Sequence, residues 1–195
     1  MIVLVTGPVR SGKSAFALEI ARESGRTPVY IATFEATYEA GAHDSEMAAR
    51  IARHRAGRGD MRTVETNERS GPTLAAALAA GRPGEILIVD SLGTWLASHL
   101  LALEELAEAD PLAAARELER RAGVLLPALD GSAADAVVVS EETGWGIVPA
   151  TALGRLFRDQ LGRTSAGVAG RAAQAYLVVA GFAVDLARAG RRVSD

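Results

Sequence analysis

The segment Gly7-Pro8-Val9-Arg10-Ser11-Gly12-Lys13-Ser14 follows directly on the apolar run Ile2-Val3-Leu4-Val5-Thr6. A short β-branched run of this kind reads as a buried parallel strand. The G-x-x-x-x-G-K-S pattern after it, where a strand turns into a helix, reads as a phosphate cradle. Its glycines let the backbone wrap closely around an anion, and its amides point inward as donors. The helix that follows presents its positive N-terminal end to the same anion. On this reading Gly7, Pro8, Val9, Arg10, Ser11, Gly12, Lys13 and Ser14 all touch nucleotide. The Lys13 ammonium reaches the β- and γ-phosphates, and the Ser14 hydroxyl binds Mg²⁺.

A strand feeding such a loop sits in an open α/β sheet, and the remaining sequence has the matching rhythm. Residues 13–23 read as a helix, 28–33 as a strand, 46–56 as a helix and 61–65 as a brief strand. An alanine-rich helix over 73–80 is closed by Gly81. The run Ile86-Leu87-Ile88-Val89-Asp90 is a buried strand ending on an acid. Helices are expected over 92–103, 111–129, 149–161 and 165–174, and strands over 134–140 and 175–180. The stretch 103–121 reads as a solvated helical region. Alternation of this kind predicts an α/β fold of the P-loop NTPase (RecA-like) kind, a mostly parallel central sheet flanked by helices on both faces. No linker-like shift in composition divides the chain, so residues 1–195 are expected to form one nucleotide-binding domain.

Composition narrows the function. The formal net charge is -3, which supplies no global drive toward nucleic acid or an anionic membrane. There is no cysteine, which excludes disulfides and thiolate metal sites. The first apolar run has no basic flank and is too short for a signal peptide or a membrane span, so a cytoplasmic protein is expected. Lys13 is the only lysine in an arginine-rich chain. A guanidinium fork cannot stand in for a compact ammonium in a phosphate cradle without changing its geometry.

Asp90 is placed where a metal-holding carboxylate belongs, at the carboxyl end of a buried strand. The same position suits an N-cap for the helix after it. The sequence leaves both open. His54 is similarly double. Met47, Ile51 and His54 share one helical face, and Arg50, Arg53, Arg55 and Arg58 crowd it with positive charge. Such surroundings favour neutral imidazole, a nucleophile for an α-phosphorus. They equally suit a half-buried histidine at a helix C-terminus before Gly57. Arg155 and Arg158 fit either a phosphate clamp or a surface pairing with Asp159, and Trp145 either a ligand face or simple packing.

Taken together, these segments resemble the bifunctional adenosylcobinamide kinase / adenosylcobinamide-phosphate guanylyltransferase family of cobalamin biosynthesis. The resemblance runs from Ile2 to about Gly181. It is carried by the cradle, Tyr30-Ile31-Ala32-Thr33, Glu46-Met47 with His54-Arg55, Thr63-Val64-Glu65 and Val89-Asp90. Glu142-Thr143-Gly144-Trp145-Gly146-Ile147-Val148-Pro149, Arg155-Leu156-Phe157-Arg158-Asp159 and Leu177-Val178-Val179-Ala180-Gly181 complete it. It implies that His54 becomes covalently guanylylated. It implies nucleotide contacts from Ala32, Thr33, Phe34, Arg55, Ala56, Gly57, Arg58, Glu65 and Asp90. The resemblance also implies GTP, ATP or both as substrates beside a corrinoid, and a homo-oligomer such as a trimer. The chain departs from the family pattern at Glu141 and Ser165, where asparagine is usual, at Gln174, and in a stretch around His99 one residue longer than usual. Two rival readings are a P-loop small-molecule kinase without the guanylyltransferase step and a nucleotide-switch protein.

Overall fold

The computed structural model describes residues 1–33, 59–68 and 71–193. Among them a seven-stranded sheet is built in the order β3-β2-β4-β5-β1-β6-β7. The strands are β1 Ile2–Gly7, β2 Thr27–Ala32, β3 Arg62–Glu65, β4 Glu85–Asp90, β5 Asp135–Glu141, β6 Gln174–Val179 and β7 Phe182–Asp185. Every pairing is parallel except that of β6 with β7. The expected mostly parallel α/β sheet is therefore present.

Alternation along the central strands explains why both faces are covered. Leu4, Val29, Ile31, Leu87, Val89, Ala136 and Val138 point to one face. They meet helices α2 (Leu74–Ala79), α3 (Leu92–Leu101), α5 (Pro111–Ala122), α6 (Leu125–Asp130) and α7 (Ala152–Arg171). Val3, Val5, Tyr30, Ile86, Ile88, Val137 and Val139 point the other way, against α1 (Lys13–Glu23). On that side α1 contributes Ala17 and Ala21, both fully buried, so small side chains let the helix lie close on the sheet. Each fully buried Val, Leu or Ile contributes about 1.5–3 kcal/mol.

Four differences from the sequence expectation have physical causes. Residues 149–161 and 165–174 do not form two helices: α7 runs unbroken through Gly162. A mid-helix glycine costs about 1 kcal/mol, which burial of Leu161, Thr164 and Val168 on either side outweighs. The expected helix over 111–129 is instead broken at Gly123 and Val124 into α5 and α6. The stretch 103–121 holds a separate helix α4 (Glu104–Ala109) before α5, divided at Asp110. The Asp110 carboxylate accepts hydrogen bonds from the amides of Leu112 and Ala113 at 3.1 and 3.0 Å, and Pro111 opens the new helix. Strand β7 was not anticipated. It returns from β6 through Ala180 and Gly181, whose φ of 51° and 82° make the left-handed turn that hairpins favour. A last short helix, α8 (Leu186–Ala189), follows it. Among the described residues no helix is long and apolar enough to cross a membrane.

Candidate nucleotide site

The turn from β1 into α1 is held from behind. A Cβ on Gly7 would lie 2.2 Å from the Val178 carbonyl oxygen, so only glycine lets β6 approach here. The Gly181 amide donates to the Ser11 carbonyl at 3.0 Å, placing the unanticipated hairpin turn against the cradle. Gly12 takes φ of 101° and Arg10 takes 59°, left-handed conformations that curl the loop. Gly12 is the N-cap of α1, no side chain bonds that end, and the first turn holds no acidic residue. The helix therefore keeps its positive end for an anion.

Lys13 is 7% exposed, and its Nζ donates to the Pro8 carbonyl at 3.2 Å, so the ammonium lies over its own loop. Two hydroxyls of the same strand and loop, Thr6 Oγ1 and Ser11 Oγ, are buried with no hydrogen-bond partner among the described residues. Buried polar atoms are normally satisfied, and these two fit a loop that closes around a polar ligand. Ser14 is half-buried in the first turn of α1.

Asp90 ends β4, two strands from β1. It accepts a hydrogen bond from the buried Tyr30 hydroxyl. It is not the N-cap of the following helix. That role belongs to Ser91, whose hydroxyl accepts from the Thr94 amide at 3.4 Å in a capping box. The Asp90 carboxylate therefore stands at the sheet edge without capping that helix. Ser14 and Asp90 are oxygen donors of the hard kind that suits Mg²⁺. Among the described residues no group of three or more His, Asp or Glu side chains could hold a metal. Mg²⁺ bound largely by substrate phosphates and water asks for only one or two protein ligands, so this donor set fits.

Strand register sets the rest of the edge. Ala32 pairs with Asp90 on one side and with Glu65 on the other, and Gly7 pairs with Glu141. Gly7, Asp90, Ala32 and Glu65 thus all stand at the carboxyl edge, where open α/β sheets bind ligands. Thr33 is present there too, but its side chain is committed. Its hydroxyl accepts from the Ser91 amide at 2.8 Å, donates to the Ser91 carbonyl at 2.7 Å and lies 2.6 Å from Thr94 Oγ1. Phe34, His54, Arg55, Ala56, Gly57 and Arg58 lie outside the described residues.

Arg155 and Arg158 make local contacts in this structure. Arg155 Nη1 donates to the carbonyls of Pro149 and Ala150 at 3.0 and 2.9 Å, fixing its own loop. Arg158 Nε pairs with Asp159 at 3.4 Å. Trp145 is 67% exposed, so it is not packed into the core of the described residues. Two sets of contacts were not legible in the sequence: the bond of Tyr30, itself part of the segment Tyr30-Ile31-Ala32-Thr33, to Asp90, and those of Glu68. The Glu68 carboxylate accepts from Trp95 Nε1 at 3.0 Å and from the Leu74 amide at 2.8 Å. A loop glutamate carries no motif, and the segment that contains Tyr30 does not say which carboxylate its hydroxyl meets.

Comparison with known proteins is consistent along the chain. Residues 3–186 match the family model described as cobinamide kinase / cobinamide phosphate guanyltransferase. The bifunctional adenosylcobalamin biosynthesis protein CobP of Pseudomonas aeruginosa is 37% identical over 184 residues, covering 94% of this chain and 95% of the relative. The bifunctional adenosylcobalamin biosynthesis protein CobU of Salmonella typhimurium is 34% identical over 192 residues, covering 95% and 99%. Its namesake in Escherichia coli is 34% identical over 190 residues, with the same coverage.

Proposed function

Since the chain belongs to the cobinamide kinase / cobinamide phosphate guanyltransferase family, we propose that its reactions draw on the nucleotide site at the carboxyl edge of the sheet. The chain is a bifunctional transferase of cobalamin biosynthesis. It phosphorylates adenosylcobinamide and then transfers GMP from GTP to give adenosylcobinamide-GDP. The observation that carries the reading is the uncapped start of α1, with buried Lys13 and the partnerless Thr6 and Ser11 hydroxyls around it.

In the kinase step, the terminal hydroxyl of the corrinoid side chain attacks the γ-phosphorus of a nucleoside triphosphate. A new P–O bond forms, the bond to the β-phosphate oxygen breaks, and the hydroxyl proton leaves to solvent. The amides of the cradle and the Lys13 ammonium offset charge on the transferring group. Ser14 and Asp90 would hold Mg²⁺, whose chemistry here is further neutralisation of phosphate charge. Ala32 and Glu65 border the nucleoside, where a carboxylate accepts hydrogen bonds from ribose or guanine.

In the second step, His54 supplies a neutral imidazole. Its nitrogen lone pair bonds the α-phosphorus of GTP, and pyrophosphate leaves. A phosphate oxygen of the cobinamide phosphate then displaces the histidine, breaking the P–N bond. Two displacements through a covalent intermediate replace one harder transfer. Arg55, Ala56, Gly57 and Arg58, with Phe34, extend the nucleotide contacts from the same segment. The protein acts as one domain, in the cytoplasm, on small molecules, and as a homo-oligomer, with three copies the favoured assembly.

The test is incubation of wild type and His54→Ala with GTP labelled at the α-phosphate. Wild type is expected to take up acid-labile label equivalent to one GMP, and the variant none. Equal labelling of both would refute the assignment of His54.

A further inference from the structure

We infer that Glu141 is a positioning residue that holds the phosphate cradle and the metal-holding acid at a fixed separation. This rests on the reading above that Asp90 holds Mg²⁺. The cradle leaves β1 and Asp90 ends β4, and these strands are not neighbours: β5 runs between them. β5 pairs with both, Glu141 standing opposite Gly7 and Val139 opposite Asp90, and the side chain of Glu141 reaches on past Val139 to the residues after Asp90.

The residue reaches both sides. Toward the cradle, Glu141 pairs in register with Gly7, and the next amide, that of Glu142, donates to the Gly7 carbonyl at 3.0 Å. Toward the acid, its carboxylate takes two hydrogen bonds from residues just after Asp90. Ser91 Oγ donates to Oε1 at 2.6 Å and the Gly93 amide donates to Oε2 at 2.9 Å. The fit is close: a Cβ on Gly93 would lie 2.2 Å from Glu141 Oε2.

Charge adds to the geometry. The first turn of α3 contains no acidic residue, so its positive end is met by a carboxylate from another strand. A side chain ending in two acceptors satisfies both a hydroxyl and an amide donor. An asparagine is one methylene shorter and would have to take both donors on a single oxygen, whereas the glutamate gives each donor an oxygen of its own. Glutamate here is therefore a coherent solution in this chain, matched by Ser91 and Gly93.

The experiment titrates a fluorescent GTP analogue into the full-length protein, with excess Mg²⁺ and separately with EDTA. Residues that orient a metal ligand typically change metal-dependent affinity by about 10–100-fold when lost. Glu141→Ala is expected to weaken binding about 10-fold with Mg²⁺ and to leave the EDTA value unchanged. Glu141→Gln, which keeps one acceptor, is expected to fall between. Equal weakening in both conditions, or no change in either, overturns the inference. Should Glu141→Ala not fold cooperatively, Ser91→Ala removes the donor at the other end and is read in the same way. A wild type that gains affinity from Mg²⁺ yet fails to phosphorylate cobinamide removes the functional reading and leaves this one standing. A wild type indifferent to Mg²⁺ overturns this one.

Discussion

The buried hydroxyl of Tyr30, in the middle of β2, donates its hydrogen bond to Oδ2 of Asp90 at the end of β4. A charge-assisted bond of this kind orients the carboxylate as well as stabilising it. Tyr30 is otherwise a core residue, packed with Ile86, Ile88 and Val139 on the face that α1 covers. One side chain thus joins the core to the acid expected to hold the metal.

Tyr30→Phe keeps the ring and removes this bond. Hydrogen bonds to charged groups contribute about 1.5–3 kcal/mol, so a loss of that order is expected in urea unfolding. The kinase step should slow about tenfold at saturating nucleotide, as the carboxylate loses its fixed orientation. Steady-state phosphorylation of cobinamide checks this, and an unchanged kcat would show that the Asp90 carboxylate is aligned by other groups.

Gly7→Ala tests the contact behind the cradle. The new methyl would meet the Val178 carbonyl at 2.2 Å, so either β1 or β6 must shift. Overpacking typically costs about 1–3 kcal/mol, and here the displaced backbone is the cradle itself. Thermal unfolding should fall by several degrees for a domain of this size, and nucleotide binding should be lost in the same preparation. Retention of wild-type affinity would show that the loop adapts.

Much of this was legible before any coordinates. The cradle, the acid on β4 and the alternation of strands and helices rest on local signals: glycine spacing, apolar runs and the one lysine. What could not be read depends on tertiary context. Gly162 signals a break, yet the buried neighbours Leu161 and Thr164 carry α7 through it. Asp90 looks equally like a helix cap until Ser91 is found in that role. Phe182, Val184 and Ala183 form a short exposed edge strand, with no inward face to give a period-two pattern. Glu141 is visible only as a departure from a family pattern, and its partners Ser91 and Gly93 are 50 and 48 residues away.

Glu68 anchors the segment after β3 to α3, and its loss should be read as stability. Its carboxylate accepts from Trp95 Nε1 and the Leu74 amide, and its other oxygen lies 3.8 Å from His99 Nε2. Glu68→Ala leaves two donors short of their partner. At about 1–3 kcal/mol for each unsatisfied buried group, a total loss of about 2–6 kcal/mol is expected in urea unfolding. The emission of Trp95, one of only two tryptophans, should shift in the folded state as its indole N–H loses its acceptor. An unfolding midpoint equal to wild type would mean that water replaces the carboxylate without cost.

Lys13 separates the geometry of the cradle from its charge. The side chain is 7% exposed and its Nζ reaches the Pro8 carbonyl at 3.2 Å, inside a loop whose curl is fixed by Gly12 and Arg10 in left-handed conformations. There is room for a compact ammonium close to the backbone. A guanidinium is planar, larger and presents its donors as a rigid fork, so it cannot occupy that place without opening the loop. Lys13→Arg keeps the charge and should still lose most of the activity. Removal of one preorganised donor to a developing anion costs about 10²–10³ in turnover, and both Lys13→Arg and Lys13→Ala are expected in that range for cobinamide phosphorylation. Matching circular dichroism spectra for both variants would assign the loss to the site rather than to folding. Near-normal turnover by Lys13→Arg would mean that positive charge alone suffices, and that the close fit of the cradle around its lysine has no part in the reaction.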